Sequence, residues 1–146
     1  MKKIHLRWPI LIAAILVPVS ISELKNGSGQ ENETTLIENE SNKYIDYLEN
    51  ARNLLNQTSV EYKNSNYTGA EEIAIAAYLD NFEYVENELE KKGPHSLMQD
   101  IEYMMREELR DLIKNKANQS ELDMHISATD AKLLEAINLL KGSKQQ

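Results

Sequence analysis

Four acidic side chains are spaced so that a helical chain could bring them around one cation. Glu83 and Glu86 are three residues apart and are therefore neighbours on one face of a helix. Glu102, on a later segment, follows Met98 by four residues and so borders the apolar stripe that contains this methionine. Carboxylate oxygens are the ligands that hard cations such as Fe(III), Ca(II) and Mn(II) prefer. The predicted metal site comprises Glu83, Glu86 and Glu102, with Asp130 as a further candidate ligand.

The same acids could instead form ion pairs. Glu102 precedes Arg106 by four residues, which is the spacing of a salt bridge within one helix, and Arg110 follows one turn later. Charges that border an apolar stripe commonly fix the register of neighbouring helices. Ion pairing is therefore the structural alternative to metal binding for these carboxylates.

Copper is a second metal alternative. Thioether sulfurs suit Cu(I), and Met98, Met104, Met105 and Met124 all lie in the same half of the chain as His95. Met98 and Met105, however, fall on an apolar stripe, where methionine ordinarily fills gaps in a core. Packing is therefore the expected role of these two methionines.

No pattern typical of an enzyme occurs in the sequence. A ferritin-like di-iron centre needs a glutamate three residues before a histidine on each of two helices, and His5, His95 and His125 all lack one. Nucleophile-elbow, phosphate-loop and zinc-protease motifs are missing as well. His125 follows Glu121 by four residues, which predicts a histidine at the rim of the fold beside a local carboxylate. The sequence predicts a protein that is not an enzyme.

The N-terminus has the composition of an export signal. Three basic residues precede a charge-free run over 8–22, which is shorter than the roughly 20 residues that a membrane-spanning helix needs. Small residues at Ser20 and Ser22 predict cleavage after Ser22 and a secreted or extracytoplasmic product. The alternative is an uncleaved anchor that holds the protein to the outer side of the membrane. The polar residues 23–41 are predicted to form a flexible linker.

From residue 42 onward the apolar residues repeat with helical periodicity, which gives four segments of roughly 20 residues. The segments are separated by breaks near 63–69, 92–96 and 116–120. Because the connections are short, we predict an all-α, antiparallel up-and-down four-helix bundle over 42–142, followed by a disordered tail over 143–146.

Each segment contributes one apolar stripe to the predicted core. The stripes are Tyr44, Leu48, Ala51 and Leu55; Ile75, Tyr78, Phe82, Val85 and Leu89; Met98, Ile101, Met105, Leu109 and Leu112; and Leu122, Ile126, Thr129, Leu133, Ile137 and Leu140. Capping boxes predict that Thr68 begins the second helix, with Glu71 as its partner, and that Ser120 begins the fourth, with Asp123.

Composition narrows the set of partners. The formal net charge is −8, and loss of the three positive charges in residues 1–22 would make it −11. Nucleic acid is not an expected partner, because a phosphate backbone is bound by a surplus of lysine and arginine. The chain has no cysteine, so an exported product would be held together by packing alone.

Glycosylation motifs also indicate export. The acceptor pattern Asn-x-Ser/Thr occurs six times, whereas about one or two occurrences would be expected by chance. The six asparagines are Asn26, Asn32, Asn39, Asn56, Asn66 and Asn118. A glycoprotein is therefore predicted, although a chain rich in asparagine and serine is the plain alternative.

The chain from Tyr62 to Leu140 resembles a known family of domains. Its segments AAYLDNFEYVENEL, IEYMMREELRDLI and LLEAINLL are similar to the helical extracytoplasmic domain that precedes the membrane part of some high-affinity iron permeases. Small exported proteins of archaea carry a similar domain. The resemblance implies an iron-uptake context, with Glu83, Glu86 and Glu102 at matching acidic positions. The permease's Arg-Glu-x-x-Glu motif and membrane helices are missing here, which excludes transport by this chain alone.

Two functions are therefore expected. In the first, an exported bundle binds iron or another hard cation, or presents it to an iron permease or other membrane protein. In the second, the bundle is a non-catalytic envelope module that docks a membrane or surface-layer protein.

Overall fold

The protein is all-helical over the part of the chain that its computed structural model describes. The structure describes residues 31–142, with side chains from residue 42 onward. Two helices are uninterrupted: α1 (Glu31–Lys63) and α4 (Gln119–Gly142). Helix α2 spans 67–92 and contains one π turn, and α3 spans 95–114 and contains another. Their pieces are Tyr67–Ala77, the α2 π turn Tyr78–Phe82 and Glu83–Lys92; and His95–Tyr103, the α3 π turn Met104–Glu108 and Leu109–Lys114.

The three predicted breaks are confirmed. They are the connections 64–66, 93–94 and 115–118. Ser65 and Lys116 both have positive φ, at 63° and 51°, so each of these two connections turns through a left-handed residue. Pro94 follows the end of α2, where its missing N–H does not interrupt a helix.

One hydrophobic core joins the four helices. Helix α1 contacts α2 and α4, and α3 also contacts α2 and α4. The six residues of the predicted α4 stripe are all buried, which confirms that stripe. The α1 stripe is also buried, except for Tyr44, which packs against the core while partly exposed.

The π turns shift the phase of the apolar stripes. In α3 the buried positions Ile101, Met105, Leu109 and Ile113 recur every four residues, whereas a regular helix repeats every 3.6. The extra residue of the π turn accommodates this spacing. The predicted core position Leu112 packs against the core but is only half-buried, because the phase shift buries Ile113 instead.

The structure changes the predicted boundary between the linker and the first helix. Helix α1 begins at Glu31, so the prediction that the linker extends to residue 41 is wrong. No glycine or proline follows Gly29 in this stretch, and a helix propagates readily once it is nucleated. The predicted export signal, the remainder of the linker and the tail 143–146 lie outside the described residues.

Asparagines rather than hydroxyl residues cap α2 and α4. The Asn66 side-chain oxygen accepts the Gly69 N–H at 3.1 Å, and the Asn118 oxygen accepts the Glu121 N–H at 2.9 Å. The predicted caps Thr68 and Ser120 are wrong, because asparagine caps a helix about as well as serine and stands earlier in each sequence. Among the helices of residues 31–142, none combines the length and apolar character needed to cross a membrane.

Candidate functional site

Helices α2 and α3 enclose a small groove beside their π turns. This α2–α3 groove has a volume of about 260 Å³ and is lined by Ile75, Tyr78, Leu79, Arg106 and Arg110. Tyr78 belongs to the α2 π turn and Arg106 to the α3 π turn. Because π turns occur frequently at functional sites, the groove is the candidate binding site.

The phenol of Tyr78 joins the groove to one of the predicted metal ligands. Its hydroxyl donates a hydrogen bond to the Glu86 carboxylate at 3.0 Å. Burial, and secondly this hydrogen bond, raise the pKa of Tyr78 to about 12. The sequence prediction missed Tyr78 as a partner of Glu86, because the two are eight residues apart and the π turn lies between them.

Glu86 lies in a negative local field. Burial is the main cause that raises the pKa of its carboxyl group, and the charges of Glu102 and Glu83 raise it further. The hydrogen bond from Tyr78 and the positive charge of Arg106 act in the opposite direction. The net direction is upward because burial is the largest of these effects, and each of the two acids affects the pKa more than the single arginine does.

Arg106 forms ion pairs with two of the nearby carboxylates, those of Glu102 and Glu107. Its guanidinium lies 3.0 Å from the Glu102 carboxylate and 3.5 Å from Glu107. The ion pair predicted between Glu102 and Arg106 is therefore confirmed. Arg110 pairs instead with Glu71 on α2, at 3.7 Å, and its Nε is buried without a hydrogen-bond partner in the described part of the chain.

Asp130 on α4 is bound by an arginine of α1. Its two oxygens accept hydrogen bonds from the Arg52 Nε at 2.7 Å and the Arg52 Nη2 at 3.1 Å. This two-point pair joins α4 to α1, whereas Glu83, Glu86 and Glu102 lie on α2 and α3. Arg52 occupies both oxygens of Asp130, and Asp130 belongs to no group of three or more possible metal ligands within residues 42–142.

The predicted four-carboxylate site is not assembled. Glu83 is exposed, Glu86 is bound to Tyr78, and Glu102 is bound to Arg106. Across residues 42–142 there is no group of three or more histidine, aspartate or glutamate side chains placed to hold a metal ion. What remains of the prediction is the pair Glu86 and Glu102, whose carboxylates interact electrostatically across two helices.

The methionines of the copper alternative are spread between core and surface. Met98 and Met105 are buried, as packing predicts, while Met124 is 65% exposed. His95 lies at the beginning of α3, with its Nδ1 3.5 Å from a Glu90 carboxylate oxygen. The arrangement therefore favours packing over copper for Met98 and Met105.

His125 is bound to the α3 π turn. Its Nε2 lies 2.9 Å from the Met104 carbonyl oxygen, which also accepts the Leu109 N–H across the π turn. A carbonyl oxygen can only accept, so Nε2 carries the proton in this contact. The opposite ring nitrogen faces the Glu108 carboxylate at 3.8 Å, in an ion pair only when the ring is protonated. The contacts of the His125 ring are therefore with Met104 and Glu108 on α3, and not with the predicted neighbour Glu121.

The His125 ring also borders a second cleft, between α3 and the beginning of α4. The cleft has a volume of about 580 Å³, and polar side chains predominate in its lining. The lining residues are Glu108, Asp111, Leu112, Asn115, Ala117, Glu121 and His125. Three of them are acids, which suits a cationic rather than an anionic occupant.

Replacement of Glu86 by glutamine should stabilise the fold at neutral pH. Because folding raises the pKa of Glu86, the folded state binds its proton more tightly than the unfolded chain does. The stability contributed by this carboxyl group is therefore present at acid pH and is lost as pH rises through the folded pKa. An amide oxygen can still accept the Tyr78 hydroxyl but carries no charge. We expect Glu86→Gln to raise the free energy of unfolding at neutral pH, by more than removal of a fully exposed charge does.

Urea unfolding of both proteins at neutral pH and near pH 4 would measure this gain, which should shrink at the acid pH. The exposed Glu72→Gln change on the same helix removes the same formal charge and should alter stability by no more than about 0.5 kcal/mol. A Glu86→Gln protein that is less stable than the parent at neutral pH would show that the charged form is favoured by its surroundings.

Comparisons with known proteins identify no relative. A scan against protein-family models found no match, and searches of curated proteins and of solved structures found none either. The resemblance to the extracytoplasmic domain of iron permeases therefore stays a prediction.

Proposed function

We propose that this protein is a non-catalytic, extracytoplasmic module that docks a membrane or surface protein of the cell envelope. The observation that carries the proposal is the surface around the α2–α3 groove. Leu79 is 45% exposed at the groove, and Tyr103 is 58% exposed in a neighbouring depression that Arg106 also lines. Exposed tyrosine and arginine side chains around a groove provide the kind of anchor that protein interfaces use.

The absence of a converging acid cluster in residues 42–142 also supports docking over metal binding. Ion pairs occupy Glu102 and Asp130, and a metal ion would have to displace two arginines to use both. A docking partner needs no such displacement, because Leu79 and Tyr103 are already open to solvent.

The proposal includes an antiparallel up-and-down bundle exported by residues 1–22. Contacts between successive helices support the antiparallel order. The first piece of α2 contacts the last piece of α3, and the last piece of α2 contacts the first piece of α3. The Tyr62 hydroxyl, near the end of α1, donates a hydrogen bond at 2.5 Å to the Ala117 carbonyl just before α4. The two loops 64–66 and 115–118 therefore belong to one end of the proposed bundle.

Site-specific crosslinking tests the docking face. A photo-crosslinking residue in place of Leu79 or Tyr103 should capture the same envelope protein in cells that make this chain. Val60 and Leu134 are similarly exposed, at 56% and 41%, but lie on α1 and α4 and serve as matched control positions. An additional Arg110→Glu change should reduce the yield at position 79 at least about tenfold if Arg110 contributes an interface hot spot. Equal yields from all four positions would refute a docking face on α2 and α3.

Cation binding is the second candidate, favoured by the negative field at Glu86. A hard cation between Glu86 and Glu102 would lower the pKa of Glu86 and would require the flexible Arg106 side chain to move aside. Iron bound here for presentation to a permease is the form of this candidate that the predicted resemblance suggests.

Titration of the folded protein with Fe(III)-citrate separates the two candidates. If cation binding is correct, the parent protein should release heat that a Glu83→Gln/Glu86→Gln double variant does not. The docking proposal expects equal heats from the two proteins. Glu72→Gln/Glu90→Gln is the matched control, because it removes two exposed charges from the same helix.

A further inference from the structure

Three of the six glycosylation motifs lie in the part of the chain with described side chains, and two of them belong to the same end of the molecule. Asn66 ends the α1–α2 connection and Asn118 ends the α3–α4 connection. Besides the bond from Tyr62 to Ala117, the Lys116 ammonium lies 5.0 Å from the centre of the Tyr67 ring. These contacts hold the two connections next to each other.

Both asparagines present the atom that glycosylation modifies. Each side-chain oxygen accepts a backbone N–H as a helix cap, which leaves Nδ2 for other contacts. The Asn66 Nδ2 donates to the Glu61 carboxylate at 2.7 Å, and the Asn118 Nδ2 donates to the Glu121 carboxylate at 3.3 Å. An amide nitrogen has two hydrogens, so substitution of one preserves both the cap and a donor.

The asparagine and the hydroxyl residue of each of these two motifs are accessible to solvent. Asn66, Asn118 and the hydroxyl residues Thr68 and Ser120 are all exposed. Gly69 permits the close approach of the Asn66 amide, since a β-carbon at that position would lie only 2.3 Å from Nδ2. A modifying enzyme could therefore reach both ends of each motif in the folded protein.

The motif at Asn56 differs in one decisive respect. Asn56 is exposed on α1, but Thr58 is completely buried and donates its hydroxyl to the Leu54 carbonyl at 3.0 Å. The acceptor pattern requires the hydroxyl residue two positions after asparagine, so the enzyme must recognise that side chain. In the folded protein the core hides it.

We propose that Asn66 and Asn118 carry N-linked glycans and that Asn56 does not. Nδ2 attacks the anomeric carbon of a lipid-phosphate-linked oligosaccharide, and a new C–N bond forms as the C–O bond to phosphate breaks. The lipid phosphate leaves with the bonding electron pair, and Nδ2 loses one proton to a base. The proposal rests on the extracytoplasmic location in the proposed function, but not on the docking face. It places two sugar chains beside each other, at the end of the fold that carries both connections.

The test uses the folded full-length chain, a purified N-oligosaccharyltransferase and its lipid-linked oligosaccharide donor, so that it does not depend on export or docking. Peptide mapping by mass spectrometry should find the glycan at Asn66 and Asn118 and leave Asn56 unmodified. Thr68→Ala should remove the first glycan and Ser120→Ala the second, because each variant destroys one motif and keeps its capping asparagine.

A synthetic peptide covering residues 50–62 is the control for Asn56, since it presents the same motif without the fold. Modification of the peptide but not of Asn56 in the folded chain would support the role of the buried Thr58. The proposal fails if Asn66 or Asn118 of the folded protein stays unmodified, or if Asn56 is modified as fast as they are. Failure of the crosslinking test would leave this result unaffected.

Discussion

Phe82→Ala should lower the free energy of unfolding by about 3–5 kcal/mol, the range measured when a buried phenylalanine is truncated in a packed core. Phe82 is fully buried and is among the largest side chains of the core. It ends the α2 π turn, where its ring lies 6.3 Å from that of Tyr78. The loss combines the transfer energy of the ring with the cavity left behind. Because domains are commonly stable by about 5–15 kcal/mol, this single change removes a large share of the total.

Urea unfolding followed by circular dichroism would measure the loss. Tyr84→Ala is a matched aromatic control on the same helix, because Tyr84 is 57% exposed and stacks on Tyr47 at 5.1 Å. That pair should contribute no more than about 1.5 kcal/mol. If the two variants lose the same stability, Phe82 is not a central core residue.

His125→Ala should lower the free energy of unfolding by about 1–3 kcal/mol, the usual effect when a partly buried hydrogen-bonding group loses its partner. The imidazole is largely buried and donates to the Met104 carbonyl at the α3 π turn. Its removal also leaves a hole between α3 and α4. Asn81 has a comparable role in α2, where its side-chain nitrogen donates to the Ala76 carbonyl at 3.1 Å.

The control for His125 is His95→Ala. His95 is largely exposed and its contact with Glu90 is long, so its loss should alter stability by no more than about 0.5 kcal/mol. Hydrogen exchange of the Leu109 amide, whose N–H bonds the same Met104 carbonyl, should also speed up in His125→Ala. An unchanged unfolding curve and unchanged exchange would contradict a supporting role for the imidazole.

Local pattern was sufficient to predict the helices and most of the core. The breaks between segments contain the expected turn residues, and every predicted core position of α4 is buried, because that helix is regular throughout. The sequence prediction did not include the phase shift in α3, so it placed Leu112 in the core stripe instead of Ile113. A signal was present in the sequence, since apolar residues recur every four positions from Ile101, a longer spacing than a plain α-helix supports.

The candidate site could be predicted only within single helices. The Glu102–Arg106 pair follows from spacing alone and is confirmed. The partner of Asp130 could not be found in this way, because Arg52 is 78 residues away in sequence and reaches it through the packing of α1 on α4. A set of ligands drawn from three helices depends on such contacts, which periodicity does not determine.

The two π turns also bear on how the length of this chain can vary. Each π turn contains one residue more than a regular helical turn would need. Deletion of one exposed residue there would convert the π turn into a regular α-helical turn. The residues that follow would keep the same faces towards the core. A deletion elsewhere in α2 or α3 would rotate everything that follows by about 100° and bury the wrong face. Homologous chains one residue shorter should therefore carry their gaps at 78–82 or 104–108.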